Sequence, residues 1–183
     1  MRWKDIWTRK GHQDTTDLRL LNGYEDTSID ERMVTEKISN TLGITKESRV
    51  LEVGCGAGML AQHLDCDYTG VDYSSSLVKK HIEILGNKVF VSPANDLKFQ
   101  DHSFDFAFSY SVFHYFEDHE YAREVIREME RVAKKGIFVG DIPVKSHRKE
   151  HLLYGDEHFV GWNTEPGYYN PDRFNVWKLL EDA

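Results

Sequence analysis

The chain of 183 residues is long enough for one domain with a sizeable core and short for two, and its 40% hydrophobic and 30% charged residues are ordinary for a globular protein. A formal net charge of −8 argues against nucleic-acid substrates, which take a basic stripe; the one basic cluster, Lys145, His147, Arg148 and Lys149, reads as a solvated face. No apolar run approaches the roughly 20 residues that span a bilayer, the opening Met1 to Trp7 is too polar for a secretory leader, and two cysteines in no metal or disulfide spacing point to a reducing cytoplasm.

Residues 1 to 27 lack sustained periodicity and read as a short helix with an irregular lead-in. From Ser28 to Leu42 a helix is expected: Ser28 or Asp30 can cap it, Val34, Ile38 and Leu42 recur every four residues, and Gly43 closes it. The apolar run Val50 to Val53 then stops at three alternating glycines, Gly54, Gly56 and Gly58, and Met59 to Leu64 has the residues to start a helix. Strand, ligand-cradling turn and helix is the reading. Glycine lets a ligand approach the backbone closely, and a helix N-terminus beyond it suits an anionic group.

Tyr68 to Val71 is a short strand ending on Asp72, and Ser74 or Ser75 caps a helix that Gly86 stops. Strands follow at 88–92, 104–110 and 137–141, with a long amphipathic helix over 117–132 carrying Tyr121, Val125, Met129 and Val132 on one face. Strands alternating with helices predict an α/β fold with a mainly parallel sheet covered on both sides, and a ligand crevice at the carboxyl ends of the strands. Beyond Ile142 the pattern weakens: a helix over 147–154, an irregular loop over 155–169, and a final helix opening at Asn170-Pro171-Asp172 and running through Phe174, Trp177 and Leu180.

The turn lacks the Gly-Lys-Ser/Thr ending of an NTPase phosphate loop, and Met59 stands where the dinucleotide fingerprint has its third glycine. Asp72, at the next strand's end, is where an acidic side chain accepts both hydroxyls of a ribose. A ligand with an adenosine and no pyrophosphate fits better. Val50 to Gly58, Val71 to Ser74, Ala94 to Phe99 with Asp101 to Asp105, and Ser111 to Phe116 together resemble the class I S-adenosylmethionine-dependent methyltransferases, in the small-molecule branch often called type 11. The resemblance covers roughly 28–141. It implies a three-layer Rossmann-like methyltransferase fold in a single domain over 1–183, with an N-terminal lid at 1–27, a cofactor-binding core at 28–141, and a substrate or lid region with the final helix at 142–183.

The resemblance also implies a site for S-adenosyl-L-methionine. Gly54, Cys55, Gly56 and Gly58 form the turn under its methionine part, and Glu52 lies near its ammonium. Asp72 holds the ribose hydroxyls and Tyr73 borders the adenine. Ala94, Asn95 and Asp96 match the adenine-edge loop, and Ser109 the strand end beside the amino group. The family usually has an acidic residue where this chain has Pro93, which shifts adenine recognition to the backbone and Asn95 or Asp96. His114 is the first candidate general base and Asp141 a weaker one; a packing role for His114 is about as well supported. No metal is expected.

The family's sheet ends with an antiparallel strand pair after the helix matched to Pro171–Asp182, so this chain is expected to lack that pair and to leave its fifth strand a bare edge, covered by the 142–169 loop or by a second subunit in a homodimer. The function expected is methyl transfer to a small molecule, without nucleic acid or membrane. An inactive cofactor-binding module, serving as sensor or partner subunit, and an NAD-dependent oxidoreductase are the rivals.

Overall fold

The computed structural model describes residues 3–144 and 150–180. Strands β1 (Arg49–Val53), β2 (Asp67–Asp72), β3 (Lys88–Val91), β4 (Phe104–Tyr110) and β5 (Ala133–Pro143) run parallel to one another. They belong to one sheet with β6 (Asn163–Pro166) and β7 (Arg173–Leu179), in the order β3-β2-β1-β4-β5-β7-β6. β7 is antiparallel to both β5 and β6.

Side chains alternate across this sheet and bury on both faces. Phe106, Phe108 and Phe138 pack with Val34, Ile38 and Leu42 of α3 (Glu31–Leu42). Leu51, Val53, Ala107, Ile137 and Val139 pack on the other face with Val125, Met129 and Val132 of α5 (His119–Val132). Helix ends fall where capping chemistry puts them. Asp30 accepts from Met33 N at 2.9 Å and Gly43 closes α3 in the left-handed conformation, while Ser74 and Gly86 bound α4 (Ser75–Leu85) and Asp118 caps α5. Ahead of them lie α1 (Trp3–Gly11) and α2 (Leu18–Leu21). No described helix is long and apolar enough to cross a membrane.

The C-terminal expectation is corrected. Where a final helix was read, 173–179 is strand β7, and with β6 it supplies the antiparallel pair that the chain was expected to lack. Phe174 and Val176 enter one core and Trp177 the other, so a strand buried on both faces places apolar residues at spacings that mimic a helix. β5 therefore has β7 beside it, and the bare edge on which a homodimer was expected to form does not exist. The helix expected over 147–154 falls partly outside the described residues, and 150–154 is not helical.

A second correction concerns Met59 to Leu64. The chain reaches β2 so soon after the glycines that only a 3-10 turn at Ala61–His63 fits. No long helix with its macrodipole stands behind the glycine turn, and the turn's own N–H groups are taken up within the protein.

Candidate functional site

The turn after β1 is held by backbone geometry. Gly54 (φ 79°) and Gly56 (φ 51°) occupy the left-handed region, and a Cβ would meet Val112 Cγ2 at 2.5 Å from Gly54 and Asn22 Oδ1 at 2.1 Å from Gly56. The N–H groups of Gly54 and Cys55 both donate to Val71 O, at 2.8 and 3.0 Å, which locks the turn onto β2. One strand further on, Asp72 is buried, and its two carboxylate oxygens accept from Gly56 N and Ser74 N, each at 2.9 Å. Burial pushes the Asp72 carboxyl up, opposed by these two N–H groups.

Beneath the turn, the His81 ring meets Gly56 O at 3.2 Å through Nδ1 and the Asn87 side-chain amide at 3.1 Å through Nε2. An amide N–H can only donate, so Nε2 accepts and Nδ1–H donates to Gly56 O. Burial pulls His81 down to about 4, keeping it neutral. From above, Asn22 accepts from Ala57 N at 3.1 Å and donates to Leu18 O at 2.7 Å. Both braces come from outside the motif.

The turn opens into a cavity of about 890 Å³, its mouth included, at the carboxyl ends of β1, β2 and β4. Val53, Gly54, Gly56, Asp72, Tyr73, Ser92 and Ala94 form one part of its lining. The other part is aromatic, with Trp3, Trp7, Tyr24, Tyr110, Tyr115, Phe116 and Tyr121, and the two meet where Tyr73 Oη donates to Trp3 O at 3.5 Å. α1 roofs it. Trp3 and Trp7, one helical turn apart, set their rings 4.7 and 5.2 Å from Tyr115, and Lys4 pairs with Glu117 at 3.3 Å. At the far end of α1, Ser76 Oγ donates to Thr8 O at 2.8 Å, and a Cβ on Gly11 would meet that same Oγ at 2.4 Å, so only glycine allows this crossing of α4. Tyr24 is placed by Arg19, whose guanidinium donates to the carbonyls of Tyr24, Thr27 and Ile29. Tyr110 is 6% exposed, and its hydroxyl is a buried side-chain oxygen with no protein partner.

Behind the aromatic end lies a polar group outside the cavity lining. Asp141, 2% exposed with φ 58°, accepts from Tyr169 Oη at 3.2 Å and faces Arg173 Nε at 3.9 Å. Burial raises its carboxyl, opposed first by Arg173. Arg173 also lies 3.4 Å from His114 Nδ1, which accepts.

Residues 51–139 match the model of a methyltransferase domain family, type 11. Over these residues the chain is similar to that family. It is 33% identical over 93 residues to a tRNA (carboxymethyluridine(34)-5-O)-methyltransferase of Arabidopsis thaliana, covering 50% of this chain and 23% of that protein. To an uncharacterized protein of Methanocaldococcus jannaschii it is 35% identical over 98 residues, 52% of this chain and 45% of that one. The chain thus spans less than two thirds of the curated relatives it matches. The fold also matches magnesium protoporphyrin IX methyltransferase from Synechocystis, solved with bound S-adenosylhomocysteine, with a TM-score of 0.68 at 14% identity over 97% of this chain and 93% of that one.

Of the residues expected at the site, the fold brings Gly54, Gly56, Asp72, Tyr73 and Ala94 to the cavity. The others stand off it. Glu52 lies behind β1, where burial pushes its carboxyl up to about 8 and Tyr68 Oη donates to it at 2.6 Å. Cys55 packs with Val78, Val89 and Tyr68, and Gly58 sits against His81. Asn95 turns to Glu124 at 2.8 Å and Asp96 pairs with Lys98 on the surface, so neither side chain faces an adenine edge. Ser109 Oγ donates to Val53 O at 2.8 Å, tying β4 to β1.

His114 is corrected as a cavity-facing base. It lies in a 3-10 turn whose three residues point about 120° apart: Phe113 to the core, Tyr115 to the cavity, His114 to Arg173. Sequence reasoning missed Asn22, His81 and Arg173. They act across long sequence separations, and no local spacing marks them.

Proposed function

We propose that this domain transfers a methyl group from S-adenosylmethionine to a small-molecule acceptor. The observation that carries the reading is the pairing, in one cavity, of Asp72 beside two positive-φ glycines with an aromatic end holding the unpartnered Tyr110 hydroxyl. The residues fit the cofactor: the Asp72 oxygens, held by backbone N–H groups, keep lone pairs for ribose hydroxyls, and Gly54 and Gly56 line the cavity beside them. Tyr73 and Ala94 would flank the base. When bound, the cofactor supplies an electrophilic methyl on a sulfonium. Trp3, Trp7 and Tyr115 would exclude water, and aromatic faces favour a cation.

The net charge of −8 supports a small molecule over RNA, although one relative is named for tRNA. Free Cys55 and Cys66 suit a reducing compartment, the cytoplasm. The inactive-module reading loses its chief support with β6 and β7 in place.

Calorimetric titration with S-adenosylmethionine, S-adenosylhomocysteine and NAD tests the ligand; binding of the two adenosyl compounds and not NAD is expected. Methyl-labelled cofactor is then incubated with a cell extract, separated into metabolite and RNA fractions. Label in the metabolites is expected, whereas label confined to RNA overturns the acceptor class.

A further inference from the structure

The backbone amides of the glycine turn are all spent inside the protein. Gly54 N and Cys55 N donate to Val71 O, Gly56 N to Asp72 Oδ2, Ala57 N to Asn22 Oδ1 at 3.1 Å and Gly58 N to Cys55 O at 3.0 Å. An anionic group set against the turn therefore needs its donor from another segment. Lys4 is the one cationic side chain in the cavity lining among the described residues, and it is paired with Glu117 at the exposed mouth.

Asn22 stands against the turn with a donor to spare. It lines the cavity and is half-buried. The orientation of its amide is forced, because Ala57 N–H can only donate and the Leu18 carbonyl can only accept: Oδ1 faces Ala57 and Nδ2 faces Leu18, at 2.7 Å. Nδ2 carries two hydrogens. One goes to Leu18 O, and the second has no partner among the described residues. A Cβ on Gly56 would lie 2.1 Å from Oδ1, so the amide sits at the centre of the turn. Its own segment holds it there: Asp17 caps α2, Asn22 N also donates to Leu18 O at 3.0 Å, and a Cβ on the next residue, Gly23, would meet the Trp7 ring at 2.9 Å. Two hydrogen bonds thus fix the side chain before any ligand arrives, which lowers the entropy lost on binding.

The free hydrogen needs an acceptor. In the reading above, the ribose hydroxyls of S-adenosylmethionine go to Asp72 and the adenine to Tyr73 and Ala94. Neither the cationic sulfur nor the ammonium accepts a hydrogen bond, and the carboxylate remains. We propose that Asn22 is a cofactor-binding residue whose free amide hydrogen donates to the carboxylate of the cofactor's amino-acid part; the proposal rests on the methyl-transfer reading above. The segment ahead of α3 then supplies part of the cofactor seat, and the bond that braces the turn also aims the donor.

The test compares S-adenosylmethionine with its decarboxylated analogue, which keeps the sulfonium and the ammonium, by calorimetry on wild type, Asn22→Ala and Asn22→Asp. Wild type is expected to bind the parent about tenfold more tightly, the size of one hydrogen bond to a charged group. Asn22→Ala is expected to lose that preference. Asn22→Asp keeps an acceptor for Ala57 N and sets an anion against the carboxylate, so its preference should fall at least as far. Independently of the variants, the 15N-labelled Asn22 side-chain amide of wild type, assigned through its own Cβ, should show one proton moving downfield with S-adenosylmethionine and not with the analogue.

Equal weakening of both compounds in Asn22→Ala makes Asn22 a brace only; it overturns the proposal and leaves the methyl-transfer reading standing. A wild type without preference for the parent, an Asn22→Asp that keeps the preference, or an amide proton that responds alike to both compounds does the same. Should Asn22→Ala fail to fold, Asn22→Asp and the wild-type amide resonance decide. A wild type that binds no adenosyl compound overturns the methyl-transfer reading and the proposal together.

Discussion

The two ends of the cavity are made from different materials. The glycine-turn end comes mostly from the stretch Glu52 to Ser74, joined by Ser92 and Ala94, and it is built on positive-φ glycines and one carboxylate pinned by two backbone N–H groups. The aromatic end is assembled from side chains of separate segments, with Trp3 and Trp7 from the roof, Tyr24 from a loop stapled by Arg19, Tyr110 to Tyr115 from the end of β4, and Tyr121 from α5. Backbone geometry admits few substitutions, whereas a wall of side chains can be repacked without disturbing the sheet. Damage at the first end should therefore reach cofactor affinity and stability, and damage at the second should be milder and confined to the acceptor.

Asp72→Ala carries the largest expected effect. It removes the ribose-facing carboxylate and leaves the N–H groups of Gly56 and Ser74 without their acceptor, a loss of about 2–3 kcal/mol, or roughly 100-fold in S-adenosylhomocysteine affinity by calorimetry. A change below about threefold would place the cofactor elsewhere. Gly54→Ala comes next, because left-handed strain and the clash with Val112 should together lower stability by about 2 kcal/mol in urea unfolding. Adding Val112→Ala should recover the steric part and leave roughly 1 kcal/mol of backbone strain. No recovery would mean that the turn, not the contact, sets the requirement.

The same contrast governs what could be read in the sequence. Gly54, Gly56 and Asp72 were legible because a backbone-made site writes its requirement into one local stretch. The caps at Asp30 and Ser74 and the stops at Gly43 and Gly86 were legible for the same reason, each being a local hydrogen-bond demand. Two expectations failed where tertiary context decides. Arg173 to Leu179 has apolar residues on both parities because both faces of β7 are buried, and the single turn after Gly58 reflects how soon β2 begins. His114 stood at the right end of β4, but a 3-10 turn gives three successive residues three directions, and Tyr115 took the one facing the cavity. His81 and Asn22 act through bonds to distant residues and left no local trace.

Glu52 refines the comparison, since it belongs to the glycine-turn stretch yet faces away from the cavity. Its folded carboxyl is raised to about 8 by burial, above its ordinary value of 4.5. The folded protein thus keeps a proton that the unfolded chain releases, and the stabilisation that this proton provides is complete below about pH 4.5 and is lost as pH rises through about 8. Glu52→Gln, which stays neutral, should lack that decline, so the difference between variant and wild-type unfolding midpoints should move in the variant's favour from pH 5 to pH 8. Parallel curves would show Glu52 ionised and paired in the fold.

The smallest effect belongs at the roof, where Glu117→Ala breaks the pair with Lys4. Both side chains are mostly exposed, 60% and 73%, so water screens the attraction and holding two long chains in register offsets most of the rest; stability should change by less than about 0.5 kcal/mol. α1 does not depend on this contact, because its other end crosses α4 at Gly11 with the Thr8–Ser76 bond, and Trp3 and Trp7 already rest on Tyr115. The pair lies at the mouth, however, so its effect should appear in kinetics, as S-adenosylhomocysteine dissociation quickened a few-fold in stopped-flow tryptophan fluorescence and less so in 1 M salt, where such a pair is screened. A tenfold or larger acceleration would make the ion pair, and not the aromatic contact, the fastening of the roof, and would move the weakest point of the aromatic end from its packing to its electrostatics.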